Sequence, residues 1–526
     1  MTTFHILNFG CRASQADGGA LKQQLLRAGL REVACVEESA VAILNTCTVT
    51  ASADAEVRQF VRRIHRRNPE CRILVTGCYA QRAPEEIAQL EGVAWVVGNS
   101  HKHLVGTILA PDRAEESGDR VFGRSGEQQE KANFAAVFSP QTITPLVQIQ
   151  NPIHSDDWRM TSDERALRSP DHPNTRSLDS SDLGPRTSDS AQILVGEITE
   201  EFHFAPVFAD DRTRPTLKIQ DGCDARCSFC VIPMVRGQSR SLPPEKVVEQ
   251  VRQLEKSGYQ EVVLSGINLG GYGRDLERHI NFEGMVETIL GETSIARLRI
   301  SSIEPMDTSP ALIHLVATEP RMAQHLHVPL QSGCDRILRL MNRRYWARHY
   351  EERLLAIREQ IPNAAIGADV MVGFPGETDQ DHATSLRFIE SLPYTYLHIF
   401  PFSARPGTPA ATSAGQVNGR VARERSQEIR AVINAKRQAY LAAQVGLRLP
   451  ALTLDEQDEG ARVALTTNYL KVALPGCEVP SNRLVNVWIG RVTSGRPFGY
   501  AEEAREGSAS SERSSQVPAC GEEPRA

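Results

Sequence analysis

The sequence has few aromatic residues and no long apolar run. Aromatic side chains make up 6% of its 526 residues, and no stretch approaches the ~20 consecutive apolar residues that a membrane-spanning helix needs. The opening residues MTTFHILNFGC also lack the basic lead, apolar run and small-residue cleavage site of a secretory signal. We therefore expect a cytoplasmic protein that does not enter a membrane.

The formal net charge of −6 offers no overall attraction to nucleic acid, but the charge is unevenly distributed. Residues 151–200 contain ten acidic and five basic side chains, and residues 501–526 contain six acidic and three basic ones. These two segments are net −5 and −3, which leaves +2 for the remainder of the chain. The acidic excess therefore does not argue against RNA binding.

Hydrophobic patterning divides the chain into an α/β fold of several units. In residues 1–110, short apolar runs alternate with helical patterns, which predicts a parallel α/β domain. Residues 111–200 are rich in Ser, Asp, Arg and Pro, which predicts a disordered insertion. In residues 201–443, six apolar runs alternate with helical patterns and indicate a partial (β/α)6 barrel. Residues 444–503 are expected to form a small all-β module, and residues 504–526 a disordered tail.

One group of cysteines has the spacing of an iron–sulfur site. Cys223, Cys227 and Cys230 form a CxxxCxxC run directly after the first predicted barrel strand. Three thiolates so close together can bind three irons of a [4Fe–4S] cluster and leave the fourth iron open to a substrate. An incomplete zinc site, or three unrelated cysteines, is the alternative.

A second group of cysteines is dispersed in the sequence. Cys11, Cys47 and Cys78 each end one of the predicted N-terminal strands, in ILNFGC, AILNTC and LVTGC. Since the carboxyl ends of parallel strands meet in one crevice, the three thiols are able to converge. Spacing alone leaves open that they are small buried core residues.

The stretch KIQDGCDARCSFCVIPMVRGQSRS resembles the cluster loop of the radical S-adenosylmethionine (SAM) methylthiotransferases. Other stretches resemble the same family: SGINLGGYGRD, RISSIEP, HVPLQSGCDRILRLMNR, GADVMVGFPGETD and FPFSARPGTPA. The resemblance implies two [4Fe–4S] clusters, one on each cysteine group, and SAM as cosubstrate. It implies that Cys223, Cys227 and Cys230 serve radical generation, and that Cys11, Cys47 and Cys78 serve sulfur transfer.

Residues at the predicted strand ends are candidate SAM contacts. Glycines at such places allow close backbone approach to a nucleoside, although many are plain turns. Polar side chains there can bond the methionyl or ribose groups, or can be packing partners. The turn Gly373-Phe-Pro-Gly-Glu377 offers backbone amides to adenine. The candidates are Gly270, Gly271, Glu304, Gln331, Ser332, Gly373 and Glu377.

Two features suggest contact with RNA. Arg58, Arg62 and Arg66 give the second predicted helix a basic face, which can bind phosphate or be a solvated surface. The stretch VALTTNYLKVALPGCE resembles a TRAM module, the small RNA-binding β-barrel of the family. The partners implied are a tRNA anticodon loop, an electron donor such as flavodoxin or ferredoxin, and a sulfur source.

The residues around two cysteines suggest a substrate. NTCTVT at Cys47 and GCR at Cys11 resemble the branch that methylthiolates C2 of N6-threonylcarbamoyladenosine at tRNA position 37. Isopentenyladenosine-37 or a ribosomal protein are the alternatives within the family. A radical methylase would not need the N-terminal cysteines, and a non-catalytic iron–sulfur RNA-binding protein would not need the nucleoside-binding strand ends.

Overall fold

The computed structural model describes residues 2–111, 191–198 and 213–502. Most of the predicted insertion and all of the predicted tail lie outside these residues. Within them, the chain forms a parallel α/β unit, an open parallel barrel and a closed, mostly antiparallel barrel, so the predicted fold class is confirmed. No helix in these three ranges has both the length and the hydropathy to cross a membrane.

The N-terminal unit is a six-stranded parallel sheet with helices on its faces. Its strands are β1 Thr3–Asn8, β2 Arg31–Glu32, β3 Val41–Thr46, β4 Arg72–Gly77, β5 Val93–Val97 and β6 Gln192–Leu194. They pair in the order β2-β1-β3-β4-β5-β6. Its helices are α1 Arg12–Arg27, α2 Ala51–Arg67, α3 Cys78–Arg82, α4 Pro84–Ala88 and α5 Val105–Leu109. Separate hydrophobic clusters cover the two faces of the sheet.

Local chemistry explains where α2 begins and which face it buries. The side chain of Thr50 accepts a hydrogen bond from the amide of Ala53 and so caps the first turn. Val57, Val61 and Ile64 then recur at helical spacing and are buried against the sheet. The amphipathic pattern predicts this helix because its period matches 3.6 residues per turn.

Strand β6 corrects part of the sequence prediction. The composition predicts disorder over residues 111–200, yet Gln192–Leu194 pairs in parallel with β5, with Trp95 opposite Gln192 and Val97 opposite Leu194. A strand that joins an existing edge gains backbone hydrogen bonds without forming a core of its own. The apolar run at 193–195 is too short to stand out from its polar neighbours. The predicted insertion therefore has to end before this strand.

The central unit contains six parallel strands in sequence order. They are β7 Thr216–Lys218, β10 Glu261–Ser265, β11 Arg297–Ile300, β12 His325–His327, β13 Ala365–Val372 and β14 Tyr396–Pro401. The strands form two triplets, and a parallel bridge between Ser302 and His327 connects them. A short antiparallel pair, β8 Gln220–Asp221 and β9 Arg240–Ser241, flanks the cysteine loop. This open arrangement confirms the predicted partial barrel.

The helices of this unit cover the outside of the strands. They are α6 Ile232–Arg236, α7 Pro244–Lys256, α8 Phe282–Glu292, α9 Pro310–Thr318, α10 Asp335–Leu340, α11 Ala347–Gln360, α12 Asp379–Ser391, α13 Pro409–Thr412 and α14 Gly419–Ala442. Alternate strand residues such as Leu217, Leu264 and Leu298 belong to the large core beneath these helices. The opposite face lines the barrel interior and is polar; it includes Lys218, Glu261, Arg297, Arg299, His325, His327, Asp369, Tyr396 and His398.

The C-terminal unit is a closed five-stranded barrel. Its strands are β15 Arg448–Asp458, β16 Ala461–Thr466, β17 Lys471–Leu474, β18 Leu484–Thr493 and β19 Arg496–Glu502. They pair in the order β15-β16-β17-β19-β18. Small and aliphatic side chains, among them Ala451, Val472 and Val487, form its core. Helix α14 connects this barrel to the central unit.

Candidate active site

The structure brings Cys11, Cys47 and Cys78 to one edge of the N-terminal sheet. Cys11 precedes α1, Cys47 directly follows β3, and Cys78 begins α3 after β4. Gly10 has a φ of +106°, and a Cβ on it would lie only 2.4 Å from the Cβ of Cys47. The absence of a side chain at Gly10 therefore allows the segment of Cys11 to approach Cys47. Both Cys78 and Cys11 interact electrostatically with Cys47. The convergence predicted from the strand ends is therefore present.

The surroundings of Cys47 oppose the ionisation of its thiol. Burial, together with the neighbouring thiols Cys78 and Cys11, raises the pKa of Cys47 to about 12. Two donors face Cys78: Nε of Arg236 lies 3.3 Å from its Sγ, and Nδ2 of Asn99 lies 3.6 Å from it. Such thiols become thiolates when a metal displaces their protons.

Cys223, Cys227 and Cys230 lie on the loop between β8 and α6. Burial, together with the charges of Cys227 and Cys223, raises the pKa of Cys230 to about 12, so the three sulfurs share one locality. Nδ2 of Asn268 lies 3.8 Å from Sγ of Cys223, and Nη1 of Arg343 lies 3.3 Å from Sγ of Cys227. Donors of this kind stabilise sulfur that carries negative charge.

Neither cysteine group has the close sulfur spacing of a single zinc site. With Zn–S bonds of ~2.3 Å, tetrahedral geometry places the ligand sulfurs within about 4 Å of one another. Among the described residues, the group whose ligand atoms all lie within 4.8 Å is His327, Asp369 and His398, and neither cysteine group meets that spacing. Three thiols around a wider centre, with one position left open, suit a [4Fe–4S] cluster.

The histidine group has a simpler explanation than metal binding. Nε2 of His327 and Nδ1 of His398 each lie 3.2 Å from an oxygen of Asp369. Nδ1 of His327 lies 3.1 Å from the hydroxyl of Tyr396. Burial opposes ionisation of Asp369, but its hydrogen bonds with the two histidines hold its pKa well below the usual value. The group is thus a hydrogen-bonded part of the polar barrel interior.

The N-terminal cysteine group adjoins the segment that carries the barrel cysteines. Cys78 of the N-terminal unit packs against Val231, the neighbour of Cys230, and against Val235 of α6. Nδ2 of Asn99 also donates to the carbonyl of Val235 at 2.8 Å. The sequence predicts two sites but gives no information on their relative position.

A buried ionic network, which the sequence analysis missed, holds the interface of these two units together. Asp17 of α1 accepts hydrogen bonds from Lys102, Lys218 and Arg236. Arg236 also donates to both oxygens of Asp221, at 2.8 and 3.0 Å. Burial opposes ionisation of Asp17, but the three cations outweigh it and hold its pKa well below the usual value. Arg236 therefore connects Cys78 to carboxylates of both units.

Two of the candidate SAM contacts have side chains that suit a ligand. Glu304 forms an ion pair with Arg343, the residue that also faces Cys227. Burial raises the pKa of Glu304 against the effect of that arginine. Gln331 has a φ of +64°, and its buried Oε1 lacks a hydrogen-bond partner within the described ranges. An unsatisfied buried acceptor is costly and is typical of a position that a ligand completes.

Two other polar candidates are occupied by contacts within the protein. The hydroxyl of Ser332 lies 3.1 Å from that of Ser385 and accepts from the amide of Cys334 at 3.2 Å. Glu377 accepts from Nη1 of Arg425 at 2.7 Å and from the amide of Gly373 at 2.6 Å. The amide of Gly373, considered above for adenine contact, is therefore already used.

The two glycine candidates differ in what surrounds them. A Cβ on Gly270 would lie 1.9 Å from Oδ2 of Asp307, so the protein's own side chain requires the glycine. The nearest atom to a Cβ on Gly271 would be Oγ of Ser239, at 3.3 Å. A glycine is therefore needed at position 270 because of Asp307 and not because of a ligand. At Gly271, close approach of a ligand to the backbone remains compatible with the structure.

The predicted basic face of α2 is partly neutralised. Nη1 of Arg58 donates to Tyr79 and to Glu86, each at 2.7 Å. Arg62 and Arg66 are exposed. Two cations of the three thus remain on the surface of this helix.

Comparison with known proteins first shows which protein families this chain matches. A family model described as the Radical SAM superfamily matches residues 217–389, which contain the barrel cysteines and the strands from β10 to β13. A second model, described as Uncharacterized protein family UPF0004, matches residues 3–98. A solved radical SAM methyltransferase, TsrM from Kitasatospora setae, is similar with a TM-score of 0.49 and 13% identity, over 78% of this chain and 77% of that one.

Curated relatives match almost the whole chain. "Threonylcarbamoyladenosine tRNA methylthiotransferase MtaB" of Bacillus subtilis is 31% identical over 95% of this chain and 96% of its own length. The protein of the same name from Aquifex aeolicus is 33% identical over 89% and 95%. "tRNA-2-methylthio-N(6)-dimethylallyladenosine synthase" of Moorella thermoacetica is 30% identical over 93% and 96%. The chain belongs to the family of radical SAM methylthiotransferases, and its cofactors are [4Fe–4S] clusters and SAM.

Proposed function

We propose that this enzyme transfers a methylthio group to C2 of N6-threonylcarbamoyladenosine at position 37 of tRNA. The observation that carries the proposal is the match, over nearly the full length of both chains, to relatives named for this substrate. The N-terminal cysteine group, which adjoins the segment of the barrel cysteines, supports it, because methylthiolation needs a radical and a sulfur atom at the same carbon. The alternative of a radical methylase would leave the N-terminal group without a use.

The six cysteines are proposed to have two separate roles. Cys223, Cys227 and Cys230 hold the cluster that binds SAM, and the other three hold the cluster that carries sulfur. Bound there, the cofactors supply a 5′-deoxyadenosyl radical and a sulfur for transfer. The protein contributes hydrogen-bond donors to the sulfurs, with Arg343 facing the first group and Arg236 facing the second.

Among the seven candidate SAM contacts, three are supported by their surroundings. Glu304 pairs with Arg343, which faces the barrel cysteines, and Gln331 offers an unsatisfied acceptor. At Gly271 the nearest atom to an added Cβ, Oγ of Ser239, lies 3.3 Å away, so the missing side chain keeps the backbone approachable. Ser332 and Glu377 remain proposed contacts, although their side chains are engaged inside the protein and their amides donate to the carbonyls of Leu330 and Phe374.

The partners follow from the reaction. The substrate is proposed to be the anticodon loop of tRNA, bound with the help of the C-terminal barrel at residues 444–503. The SAM cleavage consumes an electron, so a donor such as flavodoxin or ferredoxin is required, together with a sulfur source. These partners place the reaction in the cytoplasm.

Mass spectrometry of tRNA nucleosides tests the proposal in cells. A strain without the gene should lack 2-methylthio-N6-threonylcarbamoyladenosine and accumulate its unmethylthiolated precursor. Returning the wild-type gene should restore the product, and returning the Cys47→Ala variant should not. An unchanged content of this nucleoside in the deletion strain would refute the proposed substrate.

Isopentenyladenosine-37 is the second candidate substrate. The Moorella thermoacetica relative, named for the dimethylallyl nucleoside, is 30% identical over 93% of this chain. That figure lies close to those of the relatives named for threonylcarbamoyladenosine. Loss of the methylthio isopentenyl nucleoside from the same deletion strain would favour this candidate.

A further inference from the structure

A cavity of about 340 Å³ lies where the central unit meets the C-terminal barrel. Its walls come from β14, helix α14 and the turn between β16 and β17. Ala365 and Tyr396, the first residues of β13 and β14, line it, so it lies at the strand ends opposite to the cysteine loops. Because β13 has eight residues at ~3.3 Å each, roughly 25 Å separates the two ends. The cavity therefore opens at the end of the barrel strands that lies away from the loop of Cys223, Cys227 and Cys230, while Tyr469 in its wall accepts a hydrogen bond from Arg12, the neighbour of Cys11.

The cavity is lined by basic groups. Arg214, His398, Arg437 and Lys471 contribute to its wall, and no Asp or Glu is among the described residues that line it. Arg437 is exposed and forms no ion pair with any residue of the described ranges. Lys471 pairs with Glu456, 2.7 Å away, but both side chains are exposed, so the pair is weak and exchangeable.

Further positive charge is buried beside the cavity without a matching anion. Glu261 is the shared partner of three arginines: its oxygens lie 3.6 Å from Arg214, 2.5 Å from Arg297 and 2.8 Å from Arg299. One carboxylate thus faces three guanidinium groups. Nη1 of Arg297 and Nη1 of Arg299 have no hydrogen-bond partner within the described part of the chain. Buried charge of one sign is costly, and an anion nearby would offset it.

Tyrosine rings from three different elements complete the cavity. Tyr396 begins β14, Tyr440 lies on α14, and Tyr469 lies in the turn before β17. Tyr469 has a φ of +68°, a conformation that costs energy for a residue with a side chain. This conformation places its ring against the barrel interior, 5.1 Å from the guanidinium of Arg299. The rings of Tyr469 and Tyr396 both pack on His325. Tyr440 has no aromatic partner among the described residues, so its ring is the one that can stack on a nucleic-acid base.

We propose that this cavity binds a single-stranded nucleotide of the substrate tRNA, other than the adenosine that is methylthiolated. The phosphate lies among Arg214, Arg437 and Lys471, and the base lies against the ring of Tyr440. The inference rests on the proposed function, because the RNA is the tRNA substrate. It adds a second point of contact between the loop and the enzyme, which fixes the register of the loop.

Fluorescence anisotropy with the full-length enzyme and a synthetic anticodon stem-loop tests the inference. Arg437→Gln and Lys471→Gln each remove one cation from an exposed position, so folding should be unaffected. Loss of one phosphate contact to a single strand should lower the slope of log K against log salt by ~0.7, which is about fivefold in affinity near 0.1 M salt. Arg430→Gln is the matched control, since Arg430 is exposed on the same face of α14, two turns earlier.

The stem-loop is used with either adenosine or threonylcarbamoyladenosine at position 37. Equal weakening of both RNAs by Arg437→Gln and Lys471→Gln, but not by Arg430→Gln, is the expected result. Weakening of the threonylcarbamoyl RNA alone would mean that the carboxylate of the modification occupies the cavity, and would overturn the inference. The inference would also be overturned if Arg437→Gln and Lys471→Gln both bound the RNAs with the affinity and the salt dependence of the wild-type enzyme. Failure of the wild-type enzyme to bind either RNA would instead contradict the proposed function itself.

Discussion

Nη2 of Arg12 donates a hydrogen bond to the hydroxyl of Tyr469 at 3.0 Å, although the two residues are 457 positions apart in the chain. Arg12 follows the proposed cluster ligand Cys11, and Tyr469 belongs to the C-terminal barrel. The ring of Tyr469 also packs on His325 in the central unit, with centroids 4.2 Å apart. All three units of the protein therefore meet at this tyrosine.

This junction makes the stability of the protein depend on pH through His325. Burial, followed by the charges of Arg299 and Arg12, holds the pKa of His325 well below its usual value near 6.5. The unfolded chain therefore binds a proton below about pH 6.5 that the folded chain does not bind. Stability should be complete above about pH 6.5 and should decrease as the pH falls below it. Thermal unfolding from about pH 8 to about pH 5.5 measures this.

The matched variant for that experiment is His325→Gln. It keeps a polar side chain beside Tyr396 but removes the titrating group. The decrease in melting temperature between the two pH values should be smaller than in the wild type. Parallel curves for the two proteins would show that His325 does not contribute to the pH dependence.

The two cysteine groups should be separable by mutation. Anaerobically reconstituted enzyme should hold about eight irons, and each triple Cys→Ala variant about four. The variant of Cys223, Cys227 and Cys230 should no longer form 5′-deoxyadenosine. The variant of Cys11, Cys47 and Cys78 should still form it but should give no methylthio product. Methylthio product from the latter variant would contradict the assignment of two roles.

Arg236 should be essential for the interface between the N-terminal and central units. Arg236→Gln leaves Asp17 and Asp221 buried with fewer cations and removes a donor to Cys78. Breaking a buried ion pair from one side costs about 3–5 kcal/mol of unfolding free energy. Denaturant unfolding should show this loss, together with a lower iron content. Arg252→Gln is the control: its pair with Glu292 is exposed, so the change should stay within about 0.5 kcal/mol.

Strand β6 gives a sharp limit to the part of the insertion that can be removed. Replacing residues 112–190 by a short Gly/Ser linker should preserve folding and both clusters, because loop closure entropy changes slowly with length. Replacing residues 112–198 should lower the melting temperature, since it also removes the strand that pairs with β5. Equal melting temperatures for the two variants would show that β6 contributes nothing to stability.

The sequence alone predicts most of the fold and both cysteine groups. Strands such as Val41–Thr46 and Ala365–Val372 are visible because buried parallel strands require continuous apolar runs. The convergence of Cys11, Cys47 and Cys78 follows from one rule, that parallel strands end at the same edge of a sheet.

Contacts between units could not be predicted in the same way. Asp17 and Arg236 are 219 positions apart, and neither a period nor a spacing links two charges that meet only when the units dock. The same limit applies to Glu377, whose position suggests a cofactor contact although its side chain pairs with Arg425 on α14. The basic cavity depends on residues of several distant segments, and only its residues 465–471 lie in a stretch that the sequence connects with RNA.

The most direct test of the account is a reaction of the purified enzyme with two tRNAs. One carries threonylcarbamoyladenosine at position 37 and the other isopentenyladenosine, and each is incubated with SAM, a reductant and a sulfur source. Mass spectrometry of the digested nucleosides should show the 2-methylthio product from the first tRNA only. Product from the isopentenyl tRNA alone would contradict the central claim.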